Sequence, residues 1–148
     1  MSSSRAATDT ERFDTVIVDI PNPSTGSEWS YTIPANNVME LVSAIGAFTT
    51  DFAGVSRYPN LQFFDAAPSL FAEIPGDLAI RTDTYLVICW LRGIGYRSTL
   101  TAPAVIMFGL PHDMRLQPGM IISSHTVSIR PNDRWQNIRL SLHRWIIA

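Results

Sequence analysis

The sequence predicts an all-β domain, a sandwich or barrel of eight or nine short strands. Two observations carry that prediction. Turn residues (Pro, Gly, Asn, Asp) recur every 8–12 residues along the chain. Between them, apolar and polar residues alternate with the two-residue period of a strand.

Residues 1–12, "MSSSRAATDTER", are polar and aperiodic and read as an N-terminal arm, with the folded domain spanning 13–148. "FDTVIVDIP" alternates until Pro21 stops it, and "SEWSYTIP" sets Trp29, Tyr31 and Ile33 on one face. "NVMELVSAIGAFTTD" is rich in β-branched and aromatic residues, and its Gly46 predicts a bend or bulge. This stretch is also where a helix competes, but it has no cap and no 3.6-residue period. "NLQFFD", "SLFAEIP", "TYLVICWLRG", "APAVIMFGL", "MIISSHTVSI" and "NIRLSLHRWII" complete the strands. Trp29, Tyr31, Phe63 and Phe71 are the expected core aromatics.

Strand faces say where the domain meets something else. "NIRLSLH" alternates cleanly, with Ile138, Leu140 and Leu142 against Arg139, Ser141 and His143. "TYLVICWLR" does not: Tyr85, Val87, Cys89 and Leu91 are set against Leu86, Ile88 and Trp90. "AVIMFGL" is likewise apolar on both sides. One apolar face fills a core, and the second needs a cover, either the long segment "RYPNLQFFDAAPSL" or a neighbouring subunit. Composition favours the subunit: 16% of the residues are charged, against about 25% in an ordinary soluble domain. The apolar ending Trp145-Ile146-Ile147-Ala148 points the same way.

Other classes find little support. A net charge of -2 gives no basic stripe for nucleic acid. No apolar run reaches the roughly 18–20 residues of a membrane-spanning helix, and the N-terminus lacks the apolar segment of a signal peptide. All eleven basic residues are arginine, whose planar fork suits interfacial ion pairs. Arg130, Arg134, Arg139 and Arg144 gather around Asp133, and carboxylates of a neighbouring subunit are their expected partners. His112, His125 and His143 lack the H-x-H pair of a β-barrel metal site, so no metal or other cofactor is expected. His125, with Ile121, Val127 and Ile129, reads as a satisfied core histidine. Cys89 lies mid-strand, no G-x-S-x-G elbow occurs, and the carboxylates look scattered over a solvated surface. Trp135 in "RPNDRWQN" reads as a staple from a turn to the core, or alternatively as a sugar platform.

"IPANNVMELVSAIGAFTTDFAGVSRYPNLQFFDAAPSLFAEIPG" resembles the front half of small jelly-roll virion proteins of tailed bacteriophages. The resemblance lies in a Pro-led turn into a strand ending in Thr-Thr, an Arg-x-Pro segment, an Asp-containing turn and a further strand. "LQPGMIISSHTVSIRPNDRWQNIRLSLHRW" is similar to the ending of that family, with its Pro-Gly turn, long strand, Asp-x-Trp connection and final strand closing in Trp. Together the two segments cover most of residues 33–146. The resemblance implies an antiparallel jelly roll of 8–9 strands without enzymatic activity. It implies a capsid decoration (cement) protein, or a minor neck or tail protein, made in the host cytoplasm and carried on the virion. Its implied partners are itself, as a homotrimer, and the major capsid protein or another virion protein, with no nucleic acid and no membrane. Arg5 and Arg12 of the arm, Leu86, Ile88 and Trp90 of the two-faced strand, and Trp145 and Ile147 at the end are the interface candidates. A glycan- or receptor-binding jelly roll, using Tyr58, Tyr96 or Trp135, and a cupin-like metal enzyme are the alternatives.

Overall fold

The first strand behaves as its alternation predicts. In β1 (Asp14–Ile20) Val16, Val18 and Ile20 turn inward, and Thr15, Ile17 and Asp19 stay exposed. The computed structural model describes residues 13–76, 78–93, 97–99 and 104–146, with 97–99 described in backbone only. Among them run β2 (Ser30–Thr32), β3 (Asn37–Thr49), β4 (Tyr58–Phe64), β5 (Leu70–Ile74), β6 (Tyr85–Arg92) and β7 (Arg97–Thr99). They are followed by β8 (Ala104–Leu110), β9 (Arg115–Leu116), β10 (Ile121–Val127) and β11 (Arg134–Ile146). The described residues contain no helix. Their eleven strands exceed the expected eight or nine because β7 and β9, three and two residues long, are too short to show a period.

The strands form a β-sandwich. One sheet has seven strands in the order β1-β11-β3-β6-β8-β7, with β9 beside β3; the other has the order β2-β10-β4-β5. Four antiparallel pairs nest inside one another along the chain: β1 with β11, β2 with β10, β3 with β6 and β4 with β5. Pairing β11 with β3 and β10 with β4 rolls that long hairpin into two sheets. The expectation of a purely antiparallel fold fails at one place. β6 and β8 run parallel, from Leu86 beside Ala104 to Arg92 beside Leu110. A parallel neighbour needs a crossover rather than a hairpin. Here β7 lies within it and pairs antiparallel with the outer side of β8.

The core lies between the sheets, and its centre is aromatic. Trp135 stands edge-on to Trp29 with ring centroids 6.4 Å apart, 4.8 Å from Phe48 and 6.4 Å from Trp90. Trp29 and Phe63 are buried as expected, and Tyr31 packs on the core from its margin. Phe71 is instead about half exposed, because β5 turns Ala72 and Ile74 inward and Phe71 outward. Gly46 does mark a bulge, but the extra residues sit on its partner. β11 places Asn137 and Ile138 between Gln136, opposite Ala47, and Arg139, opposite Ile45. A Cβ on Gly46 would come within 3.1 Å of the Trp135 ring, so the absent side chain is what lets that ring close on the strand.

Candidate functional site

The two-faced strand β6 decides where the site lies. Leu86, Ile88 and Trp90 are 4%, 0% and 0% exposed, so their assignment to an intersubunit contact is corrected: they are core. Each faces the four-stranded sheet, and the large indole of Trp90 fills the sandwich beside Phe108 and Trp135. The opposite row is the one left outside, with Tyr85 exposed and Val87, Cys89 and Leu91 half-buried. The segment "RYPNLQFFDAAPSL", considered as a cover for it, forms β4 and the start of β5 in the other sheet.

Strand register extends this row into a face. Arg139, Ile45, Cys89 and Met107 stand side by side on β11, β3, β6 and β8. Ser141, Ser43, Leu91 and Gly109 form the next row, and Ala47, Val87 and Val105 the row on the other side. From Ser43 to Thr49, Tyr85 to Leu91 and Val105 to Gly109 no outward residue carries a charge. Cross-strand neighbours about 5 Å apart make such rows a continuous surface. Its centre is aliphatic and sulfur-rich, and burial raises the pKa of the Cys89 thiol, so it stays protonated.

Charges rim this face in pairs. Arg139 Nε donates to Asp19 Oδ1 at 2.7 Å, and Arg144 holds Asp14 through Nη2 at 2.6 Å. The Arg144 hydrogen bond keeps the Asp14 carboxyl below its usual range. Glu40, nearly buried, is paired with Arg92. The expected partners in a neighbouring subunit are therefore corrected for Arg139 and Arg144, which find acids on β1 across a direct register match. Asp133 is corrected too. It is fully buried and chelates Arg57 with both oxygens, Nε to Oδ2 and Nη2 to Oδ1 each at 2.9 Å. Carboxylates are thus not all scattered over the surface. Glu28 accepts from Ser124 Oγ (2.8 Å), Thr126 Oγ1 (3.1 Å) and Trp135 Nε1 (3.2 Å), tying the β1–β2 loop to β10 and β11.

Phe13, the first described residue, meets the end of β11 at the other end of the face. His143 stacks on Phe13 with centroids 4.0 Å apart, Trp145 lies 5.3 Å from Phe13, and the Arg115 guanidinium sits 4.4 Å over the Trp145 ring. Trp145 lies on the outer face, half-buried beneath Phe13 and Arg115. Arg5, Arg12, Ile147 and Tyr96 lie outside the described residues. Burial first, then the Arg92 charge, holds the His143 imidazole below its ordinary value of 6.5. The neutral ring is thus the form the fold prefers. Its contribution to stability is complete above the unfolded value of 6.5 and lost as pH falls through the lower folded value. Thermal melts between about pH 7 and pH 5 should therefore show a steeper loss in the native chain than in His143→Gln. Equal losses would remove His143 from the account.

The remaining candidates separate cleanly. His125 is corrected from core to surface: β10 turns Ile122, Ser124 and Thr126 inward and leaves His125 and Val127 exposed. The inward hydroxyls were unreadable as core because their acceptor, Glu28, is nearly a hundred residues away. Trp135 is fully buried, so it offers no sugar platform. Among the described residues no group of three or more His, Cys, Asp or Glu is placed to hold a metal ion. No helix long and apolar enough to cross a membrane occurs among them. Compared with known protein families, with curated proteins and with solved structures, the chain finds no match.

Proposed function

We propose that this chain is a non-enzymatic assembly protein that packs the outer face of its seven-stranded sheet against neighbouring copies, and that its setting is a virion. The observation that carries this reading is the uncharged stretch Ile45–Cys89–Met107, bounded in register by Arg139 and Arg97, with its neighbours Val87, Leu91 and Val105. Interface cores are depleted in charge in just this way, with polar residues kept to the rim. The nested pairs β1–β11, β2–β10, β3–β6 and β4–β5 support a jelly-roll reading, with β7, β8 and β9 as an insertion before β10. The resemblance to jelly-roll virion proteins of tailed bacteriophages supports a capsid decoration or cement role, and a homotrimer is the oligomer it favours.

Light scattering across a range of concentrations tests the self-contact. The native chain should show a stable closed oligomer. Met107→Arg, which sets a charge in the middle row, should yield monomer with unchanged β-type circular dichroism. A native chain that is monomeric at every concentration would overturn the assembly reading. Purified phage particles from the source culture should carry the chain in register with the major capsid protein. A few copies per particle would move it to the neck or tail, and its absence from particles would overturn the virion setting.

A further inference from the structure

We infer that the β1–β11 end of the outer face is a binding groove for a neutral saccharide. The inference does not rest on the assembly reading, and it follows from what the bulge in β11 does to the surface. Two residues of β11 oppose the single Gly46, and they part in opposite directions. Ile138 enters the core. Asn137 stays exposed in the left-handed region, at φ 54°, a conformation in which asparagine is among the few tolerated residues. Its backbone N–H donates to Asn22 Oδ1 at 3.0 Å, which pins the chain after β1 onto the bulge. Between this pinned corner and Tyr85 lies an open groove of about 670 Å³, within the usual range of small-molecule sites.

Its polar lining is underused. Among the described residues, Asp19 engages one carboxylate oxygen and Arg139 one N–H in their mutual bond, leaving Oδ2 and both terminal nitrogens of the guanidinium. Asn22 spends its oxygen on Asn137 and keeps its NH₂, while the whole side-chain amide of Asn137 remains open. Tyr85 is 52% exposed and offers a ring face together with a hydroxyl. Bulges re-aim side chains next to working sites more often than elsewhere, and this one gathers three kinds of planar polar group around a ring.

The ligand class follows from that set. Carboxylate, amide and guanidinium each present two coplanar polar atoms, a match for adjacent hydroxyls that donate and accept together. An exposed tyrosine ring covers the apolar C–H face of a pyranose while its hydroxyl reaches water or ligand. The Asp19–Arg139 pair cancels its own charge, so this end of the groove carries no net charge to draw an anion. A hydroxyl-rich, uncharged ring fits all three features.

The test is saturation-transfer NMR on the full chain, run on the native protein and on Met107→Arg. The panel is neutral oligosaccharides built on glucose, galactose, mannose and N-acetylglucosamine, with sulfated and sialylated counterparts. At least one neutral compound should bind, and its affinity, followed by titration calorimetry, should fall tenfold or more in Asn137→Gly and in Tyr85→Ala. Glycine is at ease at the φ of residue 137, so Asn137→Gly should keep or raise the melting temperature. Tyr85→Ala removes an exposed side chain and provides a second folded variant. Ile45 and Val87 line the groove and also belong to the proposed self-contact, so binding should be as strong or stronger in Met107→Arg, which parts the copies. No neutral ligand, binding that persists in both variants, or binding of acidic glycans alone would each overturn the inference.

Discussion

Replacing Asp133 with alanine is expected to remove about 3–5 kcal/mol of folding free energy, a large share of the roughly 5–15 kcal/mol that a domain holds. The reason is the state in which it leaves Arg57, whose side chain is fully buried. All five guanidinium donors of Arg57 are engaged. Nε and Nη2 bind Asp133, Nη2 also binds Asp51, and Nη1 donates to the carbonyls of Ala53 (3.0 Å) and Val55 (2.8 Å). Asp133 is equally complete: besides Arg57 it accepts the backbone N–H groups of Asp51 and Arg130, each at 2.8 Å. The Arg57 cation is tolerated in the interior because Asp133 and Asp51 both pair with it and every donor is filled. Alanine leaves the buried Arg57 only Asp51 for a carboxylate among the described residues, strands its Nε and two backbone donors at once, and the β3–β4 and β10–β11 loops come apart. Asp133→Asn keeps the shape but turns an amide NH₂ toward existing donors, and should still cost about 1.5–3 kcal/mol. Arg57→Met and Asp133→Ala together should fall short of their summed losses by about 1–3 kcal/mol, since the second removes a charge already unpaired. Urea unfolding followed by circular dichroism reads the four variants against the native chain. A loss below about 1 kcal/mol for Asp133→Ala would mean that water reaches the cluster and the clamp is not closed.

That clamp was illegible in the sequence, and the reason generalises to the face. Arg57 and Asp133 are 76 residues apart, and nothing in "SRYP" or "PNDRW" says that one completes the other. Local spacing placed Asp133 among Arg130, Arg134, Arg139 and Arg144, its neighbours in sequence. In the fold, Arg139 and Arg144 turn to Asp19 and Asp14 through strand pairing. Alternation was read where the two faces differ, as in β1 and β11, and failed where they do not. In β6 both rows are apolar, so the pattern located a strand but left its inner side open. Bulk decides the matter: the indole of Trp90 needs the interior volume, and Val87 and Cys89 do not. Chain direction leaves no mark on alternation, so the parallel pairing of β6 with β8 was likewise hidden. Asn137 did leave a trace. An asparagine inside an otherwise strand-forming run is a weak strand former, and "WQNIRL" breaks where the bulge lies.

Trp135→Ala should cost about 3–5 kcal/mol, and its interest lies in how that loss couples to a residue on the facing strand. The indole is fully buried among Trp29, Phe48 and Trp90, and its Nε1–H donates to Glu28. Truncation opens a cavity and takes one donor from a carboxylate that holds Ser124 and Thr126. Trp135→Phe keeps most of the ring and loses the hydrogen bond, so a smaller loss of about 1.5–3 kcal/mol is expected. Gly46→Ala in the native chain presses a methyl group against the indole at 3.1 Å, with Ile138 at 3.4 Å, an overpacking worth about 1–3 kcal/mol. With the indole gone, that methyl group has room, and the glycine-to-alanine change should turn from destabilising to neutral or stabilising, since alanine orders the strand at less entropic cost. The two substitutions should therefore fall short of additivity by at least about 1 kcal/mol in urea unfolding. Additive losses would show that Gly46 serves the bend of β3 itself rather than the approach of Trp135. In that case the β11 bulge, and the groove it opens, would be held by the Asn22–Asn137 bond alone.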